Sequence, residues 1–455
     1  MSLPWKKLRS KLICLLLLAA LSNNLIWSAT VPFAGPPYGA PDEIHHFEVA
    51  RFIYQHRRIP IFGRGKDLYI RVRPGGKDVI DDRIYGWYAV SPWGAYILGA
   101  IAMLLAPGRF SGTIYGARLS SVMGSVLLVY LAYRIALALF PRSPFLHLGT
   151  PLLVALIPQV TFVNAYFNAD VFTMTSTALV IYLWVKGMKH GFSLAASIYL
   201  GLALGLAALG RLNGWLISFV FTPLVLALSL RGKITGAMPR LLCIVAPPTI
   251  VFLSWFAHNY RYYGDVFAQR VFEQAWAMDR PFFKPYAEQG FNFVSFLFRT
   301  RWAELTFKSF WGVFGYMTIY LDSRFYRIIF LICVSSSLGL VCGLLRRARR
   351  KDLLSDWRFR ILGLFALSTV LIIFASAYNS LYKDFQPQGR YLFPALIPIC
   401  VLLLLGLREL AVTKLLRQAI FALIIIGLVL LNLTSFTNYI LPLHSTPVPR
   451  LMTNF

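Results

Sequence analysis

Ser91-Pro92-Trp93-Gly94-Ala95-Tyr96-Ile97-Leu98-Gly99-Ala100-Ile101-Ala102-Met103-Leu104-Leu105-Ala106-Pro107-Gly108 is apolar enough to enter a membrane and short enough to leave a crossing in question. A spanning helix needs about 20 mostly apolar residues, and 92–107 is closed off by proline at both ends. Whether it crosses decides on which face every later segment lies. Eleven other runs reach spanning length, at approximately 12–30, 114–136, 146–165, 169–185, 192–210, 212–230, 241–257, 325–345, 361–378, 391–407 and 418–438.

Charge arbitrates. With a cytoplasmic N-terminus and no crossing at 92–107, Arg134/Arg142, Lys186/Lys189, Arg231/Lys233/Arg240, Arg346 to Lys351 with Arg358/Arg360, and Arg408/Lys414/Arg417 all fall inside, as the positive-inside rule requires. Counting 92–107 as a crossing inverts every one of them. The segment therefore reads as an interfacial or re-entrant helix on the outer face. The same parity leaves only Asp352, Asp356 and Glu409 among the carboxylates inside. The predicted fold is all-α: a single polytopic domain over 1–455 with about 11 transmembrane helices. Two long outer insertions, 31–113 and 258–324, carry interfacial helices and are where function is expected.

The first run follows Lys6, Lys7, Arg9 and Lys11 and has a small-residue site near Ala29, as a signal peptide would. Its apolar character continues through Leu25-Ile26-Trp27, which favours an uncleaved signal anchor. Composition agrees with a membrane protein: 58% of 455 residues are apolar and 14% charged, where soluble domains carry about 25% charge. A net charge of +27 raises nucleic acid as a partner, but the basic residues flank apolar runs instead of forming a compact patch, so nucleic-acid binding is not expected. Cys14, Cys243, Cys333, Cys342 and Cys400 lack metal-ligand spacing and read as small core fillers. No internal repeat is visible.

Three short stretches could carry chemistry. Pro36-Pro37-Tyr38-Gly39-Ala40-Pro41-Asp42-Glu43-Ile44-His45-His46-Phe47-Glu48 follows the first span. The prolines force an extended approach to a helix that Asp42 is suited to cap, and the carboxylates beside His45 and His46 could equally serve as a general base. In Asn164-Ala165-Tyr166-Phe167-Asn168-Ala169-Asp170, either Asn168 or Asp170 could cap the next span. Parity also sets Asp170 on the same outer face as Asp42 and Glu43, across an apolar vestibule. The third stretch is Gln386-Pro387-Gln388-Gly389-Arg390-Tyr391. Arg390 there offers a planar fork for a phosphate, beside a Gly389 that would let a ligand approach the backbone. Arg390 and Tyr391 also suit an interfacial anchor. Arg118 and Arg211, at outer ends of spans, are weaker phosphate candidates. The 258–324 insertion is dense in aromatics, among them Trp311 and Tyr316; with Tyr391 they could anchor at the interface or line an acceptor or lipid groove.

These residues resemble a family of bacterial polytopic membrane proteins catalogued mainly as a domain of unknown function. Its motifs are matched by Pro41-Asp42-Glu43-Ile44-His45-His46-Phe47, Asn168-Ala169-Asp170 and Gln388-Gly389-Arg390-Tyr391-Leu392-Phe393-Pro394. In layout the chain is similar to the GT-C glycosyltransferases, the superfamily of the protein O-mannosyltransferases and the aminoarabinose lipid A transferases. Ala89-Val90-Ser91-Pro92-Trp93-Gly94 is similar to that superfamily's surface-helix motif but lacks its His and second Pro. The resemblance implies a GT-C-like fold in the bacterial cytoplasmic (inner) membrane, with the site on the outer face. It also implies a polyprenyl-phosphate sugar donor, an envelope or lipid-linked glycan acceptor, and Asp42, with Glu43 adjacent, and Asp170 as acidic site residues.

On chemical grounds Asp42 is the expected base and Asp170 a second acid. Arg390 is the expected donor-phosphate partner, assisted by His45 or His46. Asp42, Glu43, Asp170 and His46 could also ligate a divalent metal, though no spacing compels one. The competing class is a flippase for a lipid-linked glycan, which should place ionisable residues at mid-depth; a scaffold in envelope assembly is the third.

Overall fold

The computed structural model describes residues 3–33, 39–62, 70–72, 79–81, 86–106, 110–229, 237–279, 282–348 and 355–445. Pro36-Pro37-Tyr38 and the Arg231/Lys233 and Lys351 charges lie outside these residues. Among them the chain is all-helical apart from two short antiparallel hairpins, β1–β2 (Ile70–Val72, Val79–Asp81) and β3–β4 (Val313–Phe314, Ile319–Tyr320).

In chain order the helices are α1 (Leu3–Thr30), α2 (Glu43–His56), α3 (Gly94–Met103), α4 (Phe110–Leu139), α5 (Pro144–Leu156), α6 (Pro158–Ala165), α7 (Ala169–His190), α8 (Leu194–Ala208), α9 (Leu212–Ser229), α10 (Ala237–Tyr263), α11 (Gln269–Asp279), α12 (Phe293–Arg299), α13 (Trp302–Trp311), α14 (Ser323–Ala348), α15 (Trp357–Tyr382), α16 (Leu396–Leu410), α17 (Lys414–Ser435) and α18 (Leu441–Ser445). Nine helical stretches among the described residues are long and apolar enough to cross a membrane, and α5 with α6 makes a tenth, bent by 56°. The run expected at 192–210 is the shorter α8, of 15 residues.

Contacts between distant residues count the crossings. Asp170, before the body of α7, pairs with Arg211, just before α9, so α7 and α8 together return the chain to the same end of the bundle. Asp42 and Asp170 both reach Arg390, which requires an even number of crossings between residues 42 and 170. Helix α4 and the α5–α6 pair supply them, and α3 does not cross. Its 10 residues rise about 15 Å, half the ~30 Å hydrocarbon core, and its first amide donates to Leu209 O at 3.1 Å. The non-crossing reading of 92–107 thus agrees with the contacts, and the described residues hold ten candidate passes, or eleven with the shorter α8.

The bend between α5 and α6 has a local cause. Pro158 lacks an amide proton and drives Ile157 out of helical geometry, to ψ 119°. The freed carbonyl of Leu156 accepts from Asn432 Nδ2 of α17 at 3.1 Å, so the break is satisfied internally, as a lipid environment demands. The kink swings α6 so that its trailing loop, 166–168, lies beside the start of α2, where Phe167 N donates to Glu43.

Helix α1 is integral to the bundle: Trp27 is buried in the main core, and Asn24 Nδ2 donates to Ser125 Oγ of α4 at 3.0 Å. The cysteines only partly fit their expected role as core fillers, since Cys400 is buried but Cys14 and Cys342 are exposed on the outside of their helices.

Candidate active site

Asp42 was expected to cap α2, and its side chain does not. Its backbone is left-handed, φ 64° and ψ 4°, and its carboxylate makes no capping hydrogen bond. Caps ordinarily sit in the extended region with the side chain folded over the first amides. Here the backbone carbonyl of Asp42 accepts from His46 N at 3.1 Å, while the carboxylate turns to Arg390 Nη2 at 2.9 Å and Tyr316 Oη at 3.1 Å. A left-handed non-glycine residue costs about 1–3 kcal/mol and persists where its surroundings over-determine it.

The second carboxylate is delivered by a regular cap. Asn168 accepts from the amides of Asp170 and Val171, which leaves the Asp170 side chain to bind elsewhere. Arg211 Nη1 donates to its Oδ1 at 2.7 Å, and Arg390 Nη1 lies 3.7 Å from its Oδ2. Arg390 is held on every side: Nε donates to Gln388 Oε1 at 2.7 Å and Nη1 to Tyr166 Oη at 3.2 Å, and the guanidinium lies 5.5 Å from the Tyr391 ring centroid.

The result is an alternating chain of charges, Asp42, Arg390, Asp170, Arg211, assembled from four separate regions of sequence. Its middle members are sealed, with side chains 2% and 3% exposed, whereas Asp42 is 21% and Arg211 26% exposed. One anion and one cation are therefore open at the two ends. Burial alone would raise the Asp42 carboxyl, but Arg390, with smaller contributions from the two histidines, outweighs it and holds the group well below the usual carboxylate range.

Glu43 and Arg118 are not part of this chain. Arg118 Nε and Nη2 grip Glu43 Oε1 and Oε2 at 2.7 and 2.6 Å, and Nη1 donates to the carbonyls of Ser28 and Val31. Phe167 N donates to Glu43 Oε1 at 2.9 Å. Both side chains are fully buried and engaged, so this geometry offers neither as a base nor as a phosphate ligand. They tie the end of α1, the start of α2, α4 and the loop before α7 together, which fixes the backbone around Asp42.

His46 is buried, with Nδ1 3.0 Å from Tyr96 Oη and its ring against Tyr88 at 4.5 Å. Nε2 has no hydrogen-bond partner among the described residues. Burial, then the repulsion of Arg211, push its pKa from an ordinary 6.5 down to about 3 despite Asp42 and Asp170, so the imidazole is neutral. In unfolded protein it would protonate below pH 6.5, so its contribution to stability is complete above 6.5 and is lost as pH falls towards 3. The thermal midpoint in detergent should therefore be flat above neutrality and fall on acidification through that window. His46→Gln should flatten the acid limb, and an unchanged limb would show that this imidazole does not sense pH. His45 stacks flat on Tyr88 at 5.6 Å.

Of the aromatic residues expected in a groove, Tyr316 contacts Asp42 and Tyr391 flanks Arg390. Trp311 is 6% exposed in the main core, packed on Phe310 and Phe307, and so it lines no open groove. The expectation for Gly389 is also corrected. A Cβ there would meet the Phe310 backbone nitrogen at 2.2 Å, so glycine is required by helix α13 and not by a ligand. Gly389→Ala should cost about 1–3 kcal/mol or more, since no rotamer relieves a backbone clash; an unaltered thermal midpoint would contradict this packing.

The residues do not fit a metal. Among those described, no three His, Cys, Asp or Glu side chains converge, Glu43 is spent on Arg118, and a guanidinium stands between the other two carboxylates. Tyr166, Gln388 and Tyr96 were not singled out as site residues from sequence. Tyr166 stands just before the second motif and Gln388 within the third, whereas Tyr96 lies in the 92–107 segment, which sequence marks only by its topology.

No protein-family model and no curated protein matches the sequence, so the narrower family suggested by the motifs finds no support there. Solved structures do match. The chain is similar to apo ArnT from Cupriavidus metallidurans, with a TM-score of 0.51 and 14% identity over 96% of this chain and 74% of that one. It is also similar to the Archaeoglobus fulgidus oligosaccharyltransferase in complex with zinc and sulfate, with a TM-score of 0.50 and 14% identity over 94% of this chain. It spans only about half, 52%, of that protein. The fold is GT-C-like, and at such identity the likeness concerns architecture alone.

Proposed function

We propose that this chain is a GT-C-type membrane glycosyltransferase. It moves a sugar from a polyprenyl-phosphate donor to an envelope or lipid-linked glycan acceptor at the outer face of the bacterial inner membrane, with its N-terminus in the cytoplasm. The observation that carries the reading is the charge chain, with open members only at Asp42 and Arg211, set within a GT-C-like fold.

A sugar–phosphate bond is already activated, because polyprenyl phosphate is a stable leaving group. The enzyme must orient an acceptor hydroxyl, accept its proton and stabilise the charge that develops on phosphate. In this reading the hydroxyl donates to Asp42 while its oxygen attacks the anomeric carbon. The anomeric C–O bond breaks with its electron pair going to the phosphate, which Arg211 stabilises. A carboxylate of low basicity suffices, because the attacking hydroxyl becomes strongly acidic as its new bond forms. Arg390 positions Asp42 and Asp170 positions Arg211. This shifts the phosphate role from Arg390 to Arg211, since Arg390 is sealed and already engaged by Asp42, Asp170, Tyr166 and Gln388.

Single displacement inverts the anomeric centre. The test is transfer of labelled sugar from a panel of polyprenyl-phosphate donors by the purified protein in lipid vesicles. Protein-dependent transfer with inverted configuration is expected. Intact donor that crosses the bilayer would overturn the reading in favour of a flippase.

A further inference from the structure

Both oxygens of Asp42 are occupied, but by very different partners. Oδ2 is held by Arg390, whose side chain is 2% exposed and fixed by Gln388 and Tyr166. Oδ1 accepts from the phenol of Tyr316 at 3.1 Å, and Tyr316 is carried on the tip of a hairpin with only two residue pairs, Val313 with Tyr320 and Phe314 with Ile319.

The stem of this hairpin is rigid. Val313 and Phe314 are fully buried, Val313 N donates to Gln159 Oε1 at 2.6 Å, and Tyr326 ties Gly312 to Leu321 from behind. The tip is unlike it. Gly315 and Met317, on either side of Tyr316, are both left-handed, with φ of 59° and 63°, and exposure rises from buried at Gly315 to exposed at Thr318. A strained tip on a fixed stem can give up one hydrogen bond without disturbing the core.

The proposed chemistry requires an acceptor O–H to donate to Asp42, and a phenol O–H already does so. We propose that Tyr316 is a guard: its hydroxyl holds the acceptor's place on Oδ1, keeps water from it, and is exchanged for the acceptor hydroxyl when that substrate binds. Tyr316 thereby sets the partition between transfer and wasteful hydrolysis. This rests on the glycosyltransferase reading above. Without the guard, water donates a proton to Asp42 and its oxygen bonds to the anomeric carbon. The carbon–oxygen bond to phosphate breaks with its pair, and free sugar and polyprenyl phosphate result.

The test is Tyr316→Phe in the full-length protein in vesicles, with labelled donor followed both with and without acceptor. The ratio of hydrolysis to transfer should rise by about tenfold, the scale of one hydrogen bond to a charged group, and the KM for acceptor should fall. Adding Asp42→Asn should abolish the excess hydrolysis. The thermal midpoint of Tyr316→Phe reports its folding, and a merely structural tyrosine would shift that midpoint without moving the ratio. An unchanged ratio in an active enzyme overturns the guard alone, as does a fall in kcat to the Asp42→Asn level, which would make Tyr316 catalytic. Donor left intact by the natural sequence overturns the glycosyltransferase reading and the guard with it.

Discussion

Asp42→Asn should reduce transfer by about 10³-fold, within the range lost with a general base, and should leave the protein folded. The amide is isosteric and can still accept from Tyr316 or Arg390, but it cannot take the acceptor's proton. Kinetics with saturating donor should show the loss in kcat. The thermal midpoint supplies the control, because the side chain is partly open and removal of its charge leaves Arg390 with Asp170, Tyr166 and Gln388 around it. Wild-type turnover by this variant would remove Asp42 from the chemistry.

Glu43, the very next residue, should behave in the opposite way. Glu43→Ala leaves the Arg118 guanidinium buried without its counter-charge, a situation that typically costs about 3–5 kcal/mol, and slackens the tie through Ser28 and Val31. Little folded protein is expected, and activity per folded molecule should survive better than in Asp42→Asn. Replacing both partners with apolar residues of similar volume, Glu43→Leu with Arg118→Met, should recover much of the loss, because no charge then remains to be desolvated. Measurements of folded yield and thermal midpoint across the three variants decide this. A stable Glu43→Ala that has lost activity would return Glu43 to the catalytic group.

The contrast between these neighbours marks where sequence reading ends. The crossings were legible because apolar length and the placement of Arg and Lys are properties of local sequence, and that bookkeeping alone set 92–107 aside. The convergence of Asp42, Asp170 and Arg390 followed from the same parity, since each motif sits at the end of a span. What each carboxylate touches did not follow. The left-handed backbone at Asp42 turns its carboxylate toward a chain segment 348 residues away, while Glu43, the first helical residue, faces one 75 away. Nothing in Pro-Asp-Glu states which goes where. Gly389 read as a ligand's neighbour because the helix that crowds it lies some eighty residues earlier in the chain. Arg211 was ranked below Arg390 because exposure, which separates an open cation from a sealed one, is a tertiary property.

The central claim is that the two open ends of one charge chain divide the work, Arg211 holding donor phosphate and Asp42 taking the acceptor's proton. It is tested most directly by measuring binding of a polyprenyl-phosphate sugar and its turnover, side by side, in Arg211→Gln and Asp42→Asn. The account predicts weakened donor binding in Arg211→Gln, and near-normal binding without turnover in Asp42→Asn. Normal binding in Arg211→Gln together with retained turnover in Asp42→Asn would contradict it.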